Sequence, residues 1–148
     1  MGEPGIESIK SLYMKNLQLF QTLHSTPMDF GTGDLLYPAE VHTLAAVART
    51  PGLNLTELAL AMNVSKSAVS KVVKKLLNKG LVIKGSIETN QKEVIFHLTA
   101  KGESAVLGHE AFEQKTFAGV NELLQKLTVP EKTFLIRFFQ DIISSLEP

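Results

Sequence analysis

The chain has 148 residues, is 44% hydrophobic, and balances 15 basic residues against 15 acidic ones. It contains no cysteine, which excludes disulfide staples, thiolate zinc sites, cysteine nucleophiles and thiol redox sensing within it. No apolar run approaches the roughly 18 residues of a membrane span, and no apolar block follows a basic start as in a signal peptide. One soluble, cytoplasmic domain of ordinary size is therefore expected.

The charge is balanced overall but not locally. Six of the 13 lysines lie between Lys66 and Lys84, and no acid occurs between Glu57 and Glu88. Such a local field suits docking on phosphates, while acids elsewhere limit non-specific adhesion.

Residues 6–24 predict an amphipathic helix, because Ile6, Ile9, Leu12, Tyr13, Leu17, Phe20 and Leu23 recur every three or four positions. Residues 25–37 read as a loop punctuated by Pro27, Gly31 and Gly33. A second helix starts near Pro38, where a first-turn proline costs no hydrogen bond. Glu40 follows in that turn, which suits the helix dipole. Val41, Leu44, Ala45 and Ala48 form its apolar side, and Thr50-Pro51-Gly52 ends it.

Asn54 and Glu57 have the spacing of a capping box. A short helix follows, with Leu58, Ala61 and Met62 inward. Asn63 stands where the chain must turn through a left-handed residue, and Ser65 caps the next helix. Two short helices joined by Asn63-Val64-Ser65 make a helix-turn-helix. In the second of them Val69, Val72, Val73 and Leu76 have core spacing. Lys66, Ser67, Ser70, Lys71, Lys74 and Lys75 fall largely opposite, and Gly80 closes the helix.

Two strands follow, Leu81–Gly85 and Glu93–Leu98, linked through Ser86–Lys92 as a hairpin. A helix-turn-helix followed by a hairpin is a winged helix. A long helical pattern runs from Thr99 towards Leu127. Thr128 and Glu131 form another capping box, ahead of a last helix over about 130–146. The predicted fold class is thus mainly α with a small β-hairpin wing. The first helix and the last two carry apolar faces wider than a winged helix can cover. A second copy of the chain is the natural cover.

These residues resemble the multiple antibiotic resistance regulator (MarR) family of winged-helix transcription factors. Leu53–Ala59 is similar to the family's capped helix start. Val64–Leu76 with Lys79-Gly80-Leu81-Val82 is similar to its recognition helix, and Leu98-Thr99-Ala100-Lys101-Gly102 to the junction after the wing. The resemblance covers nearly the whole chain. It implies a homodimer built by residues 6–24 and 100–146 around a DNA-binding lobe over 38–99. It also implies a regulator, a repressor released by a small aromatic or phenolic effector, with recognition helix 65–79 in the major groove of a pseudo-palindromic operator. The wing, 86–92, would meet the minor groove or backbone. One departure stands out. Where the family's wing commonly carries an aspartate followed by arginine, this chain has Asn90, Gln91 and Lys92. Arginine suits a narrow minor groove better than the more strongly hydrated lysine, so a weaker wing contact is expected.

The expected double-stranded DNA contacts are Ser65, Lys66, Ser67, Ser70, Lys71, Lys74, Lys75, Gln91 and Lys92. The small hydroxyls and the helix N-terminus can bind phosphate or base edges. With no arginine in the helix, bidentate guanine contacts are unavailable. Tyr37, His109 and Phe112 are candidate effector contacts, against a plainer reading as packing residues. His24, His42, His97 and His109 share no ligand spacing, so no metal site is called. A metal sensor would need them to converge in space. No cofactor is called for, and no nucleophile motif or phosphate loop suggests an enzyme. The competing reading is a winged helix used as a protein–protein interaction module with little DNA binding.

Overall fold

The computed structural model describes residues 5–87 and 90–147, without the side chains of 87–92. Its elements in chain order are α1 (Ile6–Leu23), β1 (Met28–Asp29), β2 (Leu35–Leu36), α2 (Pro38–Arg49), α3 (Leu55–Ala61), α4 (Lys66–Asn78), β3 (Val82–Ile87), β4 (Asn90–Leu98), α5 (Ala100–Lys126) and α6 (Val129–Leu146). They divide into two compact units, Met1–Glu110 and Ala111–Pro148, with the boundary inside α5.

The helix starts are made by local side chains, as their spacing predicts. Asn54 accepts the Glu57 N–H at 2.9 Å, and Glu57 in return accepts the Asn54 N–H at 2.8 Å. Ser65 Oγ accepts the Ala68 N–H at 3.2 Å. The Glu131 carboxylate accepts both the N–H and the O–H of Thr128 at 2.7 Å. Those two bonds, the hydroxyl's first, hold the Glu131 carboxyl below its ordinary range.

Between α3 and α4 the chain reverses through Asn63, at φ 51°. The Asn63 N–H reaches Leu60 O, and the Val64 N–H reaches Ala59 O. This satisfies the last carbonyls of α3 and aims α4 across it. The core beneath contains Ala46, Val47, Leu58, Ala59, Val69, Val73 and Phe96, with Leu53, Met62 and Leu77 against it. Ala59, not Ala61, is the inward alanine of α3: Ala61 is exposed.

Strands β3 and β4 pair antiparallel from Val82↔Leu98 to Ser86↔Val94, with a register shift before Ile87↔Asn90. The pairing reaches further up the hairpin than its apolar alternation alone predicts. Leu53 O accepts the Phe96 N–H, and Asn54 bridges to Ile95, so the wing is stitched to the start of α3. The loop over 25–37 holds a two-residue ribbon, β1–β2, that the sequence pattern does not announce. Asp29 Oδ1 gathers the N–H groups of Gly31, Thr32 and Gly33 at 2.8–3.0 Å. These bonds, Thr32's first, hold the Asp29 carboxyl low.

The part of α5 within the first unit packs closely on its neighbours because two of its residues lack a side chain. A Cβ on Gly102 would sit 2.0 Å from Leu81 O, and one on Gly108 would sit 2.2 Å from Phe30 O. Backbone atoms cannot yield as a flexible side chain can. Gly102→Ala is therefore expected to destabilise by about 3 kcal/mol, the upper part of the overpacking range. The check is the denaturant midpoint. A variant as stable as the parent would show that α5 can lift off Leu81 freely.

Helices α1 and α6 bury none of their residues within the chain. Leu12, Leu17 and Phe20 of α1, and Phe134, Phe139, Ile143 and Leu146 of α6, are exposed.

Candidate nucleic-acid interface

Helix α4 has two distinct sides. Val69, Val73 and Leu76 are buried, and Val72 is partly so. Lys66, Ser67, Ser70, Lys71, Lys74 and Lys75 are all exposed. Ser65 Oγ, besides capping the helix, lies 3.2 Å from Ser67 Oγ. The helix thus offers an electropositive end, two adjacent hydroxyls and a row of lysines to one side. Phosphates are bound by that combination of helix dipole, hydroxyl donors and cations. Among the described residues, Lys66, Lys71 and Lys74 make no ion pair with an acid. Lys75 Nζ stands 5.6 Å from the centre of the Tyr37 ring, a distance at which ring and ammonium attract.

Lys79 departs from the row. It caps α4, but its Nζ donates to Glu40 Oε1 at 2.7 Å and to Leu35 O at 2.8 Å. It turns away from the lysine face and towards the first turn of α2. Lys79 is not among the expected DNA contacts, and its ion pair sets it apart from the exposed lysines of α4.

The wing residues Gln91 and Lys92 lie on β4, but their side chains fall outside the described residues. Tyr37 is exposed beside Lys75 of α4. His109 is 6% exposed and packs edge-on against Phe30, with ring centres 5.3 Å apart. Phe112 lies three residues further on, in the second unit. What the structure does bring together is His42 and His109. Their ring centres are 5.3 Å apart, and a ring nitrogen of each lies within 4.8 Å of the other's. Residue spacing could not reveal this pair, because α2 and α5 are joined only by the fold.

A capped two-helix turn, an exposed basic second helix and a stitched hairpin define a winged helix-turn-helix. The sequence model of the MarR family matches residues 36–92. The uncharacterized HTH-type transcriptional regulator YhjH of Bacillus subtilis is 29% identical over 130 residues, covering 88% of this chain and 74% of YhjH. The HTH-type transcriptional regulator PchR of the same organism is 27% identical over 107 residues, covering 72% of this chain and 63% of PchR. The fold is that of ZitR from Lactococcus lactis, a zinc-responsive MarR family member, at a TM-score of 0.73 and 20% identity over 94% of this chain and 99% of that one. A ZitR variant in complex with DNA matches at a TM-score of 0.77 and 20% identity, over 98% of this chain and all of the other. Residues 36–92 thus match the MarR family, and the relatives named are HTH-type transcriptional regulators.

Among the described residues, no helix is long and apolar enough to cross a membrane.

Proposed function

We propose that this protein is a homodimeric, DNA-binding transcriptional repressor whose hold on its operator is set by an effector. Helix α4 enters the major groove of each half of a pseudo-palindromic site, and the wing over 86–92 meets the minor groove or backbone. The observation that carries this reading is the division of α4 into a buried valine–leucine side and an exposed serine–lysine side behind a serine cap. The DNA-bound ZitR variant shares the fold. Two such helices are needed because one, lacking arginine, reads few base edges. Titration against duplex DNA from upstream of its own gene, with salt varied, tests the reading. Affinity should fall linearly on a log–log scale as counterions are released. No salt-sensitive binding would favour the protein-interaction alternative.

For the effector, the resemblance suggests a small aromatic or phenolic compound near Tyr37, His109 and Phe112. The geometry favours a divalent transition metal. Imidazole nitrogens suit zinc, and His42 and His109 already face one another. Glu113 follows His109 by four residues in the same helix and so rises from the same side of it. Two nitrogens bound to one tetrahedral zinc stand about 3.4 Å apart, which a small rotation of either ring provides. ZitR is described as zinc-responsive. Zinc is expected to change the affinity for upstream DNA at least tenfold in the parent and not in His109→Ala. Cobalt(II) should show a ligand-field spectrum only with His42 and His109 both present. Absence of that spectrum, with a phenol shifting DNA affinity instead, would return the site to the aromatic reading.

A further inference from the structure

Four lysines of α4 face outward, and the fifth, at its C-cap, is tied inward. We propose that Lys79 is a positioning residue and not a phosphate contact: its ion pair with the buried Glu40 sets the angle at which α4 meets DNA. Glu40 is 1% exposed, and its carboxylate is committed on both sides. Oε2 accepts the Tyr37 N–H at 2.8 Å, and Oε1 takes Lys79 Nζ at 2.7 Å. A buried carboxylate is costly without its cation, so the end of α4 cannot leave the first turn of α2 freely. Other bonds hold the same end from the start of α5. Thr99 Oγ1 donates to Gly80 O at 2.7 Å, and Lys101 Nζ donates to Lys79 O at 3.1 Å. Lys101 Nζ also lies 2.6 Å from Asp34 Oδ2.

The rest of α4 is seated on Val69, Val73 and Leu76. Apolar packing is non-directional and resists tilting weakly; charge-assisted hydrogen bonds have fixed lengths and directions. At 13 residues, the helix is about 20 Å long, so a swing of about 10° around its C-terminal end moves Ser65 and Lys66 by about 3 Å. That exceeds the tolerance of a hydrogen bond. The pair at one end of the helix therefore governs contacts at the other.

This inference rests on α4 being the helix that meets DNA. Its test compares the parent, K79R and the double variant E40Q/K79M in salt-varied titrations against upstream duplex DNA. The double variant leaves no unpaired buried charge, and circular dichroism and sedimentation should show it folded and dimeric. K79R, which keeps the pair, should bind within about threefold of the parent. E40Q/K79M should bind at least tenfold more weakly, with the parent's salt slope. A slope shallower by about two, one per protomer, would make Lys79 a phosphate contact and overturn the proposal. Parental affinity in E40Q/K79M, or K79R as weak as the double variant, would also overturn it. If E40Q/K79M does not fold, E40Q alone, which keeps an acceptor for the Tyr37 N–H, is read by its affinity, and parental affinity would overturn the proposal. Failure of the parent itself to bind DNA would instead overturn the proposed function.

Discussion

Glutamate at both Phe139 and Ile143 is expected to convert the protein to monomers and to weaken operator binding by roughly 10²- to 10⁴-fold, the gain that linking two binding modules confers. These residues are one turn apart on α6, and 50% and 55% exposed within the chain. If the chain acts alone, replacing them with acids should cost little, because half-exposed positions of a monomer tolerate charge. If they are covered by a second copy, each glutamate puts a charge into an apolar interface without a partner. On α1 and on α6 several large apolar residues are exposed, and contiguous exposed apolar patches mark protein–protein interaction sites. Sedimentation velocity at micromolar concentration separates the cases. A double variant that remains dimeric and binds DNA as the parent does would place the interface elsewhere.

Removing the charge at Lys71 and Lys74 should reduce affinity for upstream DNA by on the order of a thousandfold near 0.15 M salt, if both meet phosphates in each protomer. Each phosphate contact contributes about 0.9 to the logarithmic salt slope, so four lost from a dimer should flatten it by about 3.6. Both side chains are exposed, on the side opposite the buried Val69 and Val73, and stability should hardly change. Unaltered affinity in K71A/K74A would remove this face of α4 from the DNA interface. The contrast with E40Q/K79M is the useful one: surface lysines should change slope and affinity together, whereas the buried pair should change affinity alone.

Much of this architecture was readable before any coordinates. The capping and turn bonds of Asn54, Asn63 and Ser65 reach groups three residues away, so residue type and spacing suffice to place α3, the turn and α4. The apolar excess on α1 and α6 was likewise legible, and within the chain these two helices bury none of their residues. Readings failed where the deciding neighbour was remote in the chain. Ala61 and Ala59 differ by two positions on a helix too short for its periodicity to decide which is inward. Glu40 looks like an ordinary first-turn acid, yet its cation lies 39 residues away.

What the sequence determined by itself is the kind of protein: a serine-capped helix with apolar residues on one side and lysines on the other, set between a tight turn and a hairpin. Those properties follow from local backbone bonding and from the helical period. Which lysines stand exposed, and which histidines come together, only the tertiary structure decided. Folding carried Lys79 into the first turn of α2 and brought His42 of α2 beside His109 of α5. Buried charge pairing and ligand geometry depend on distances through space, which the order of residues along the chain does not contain.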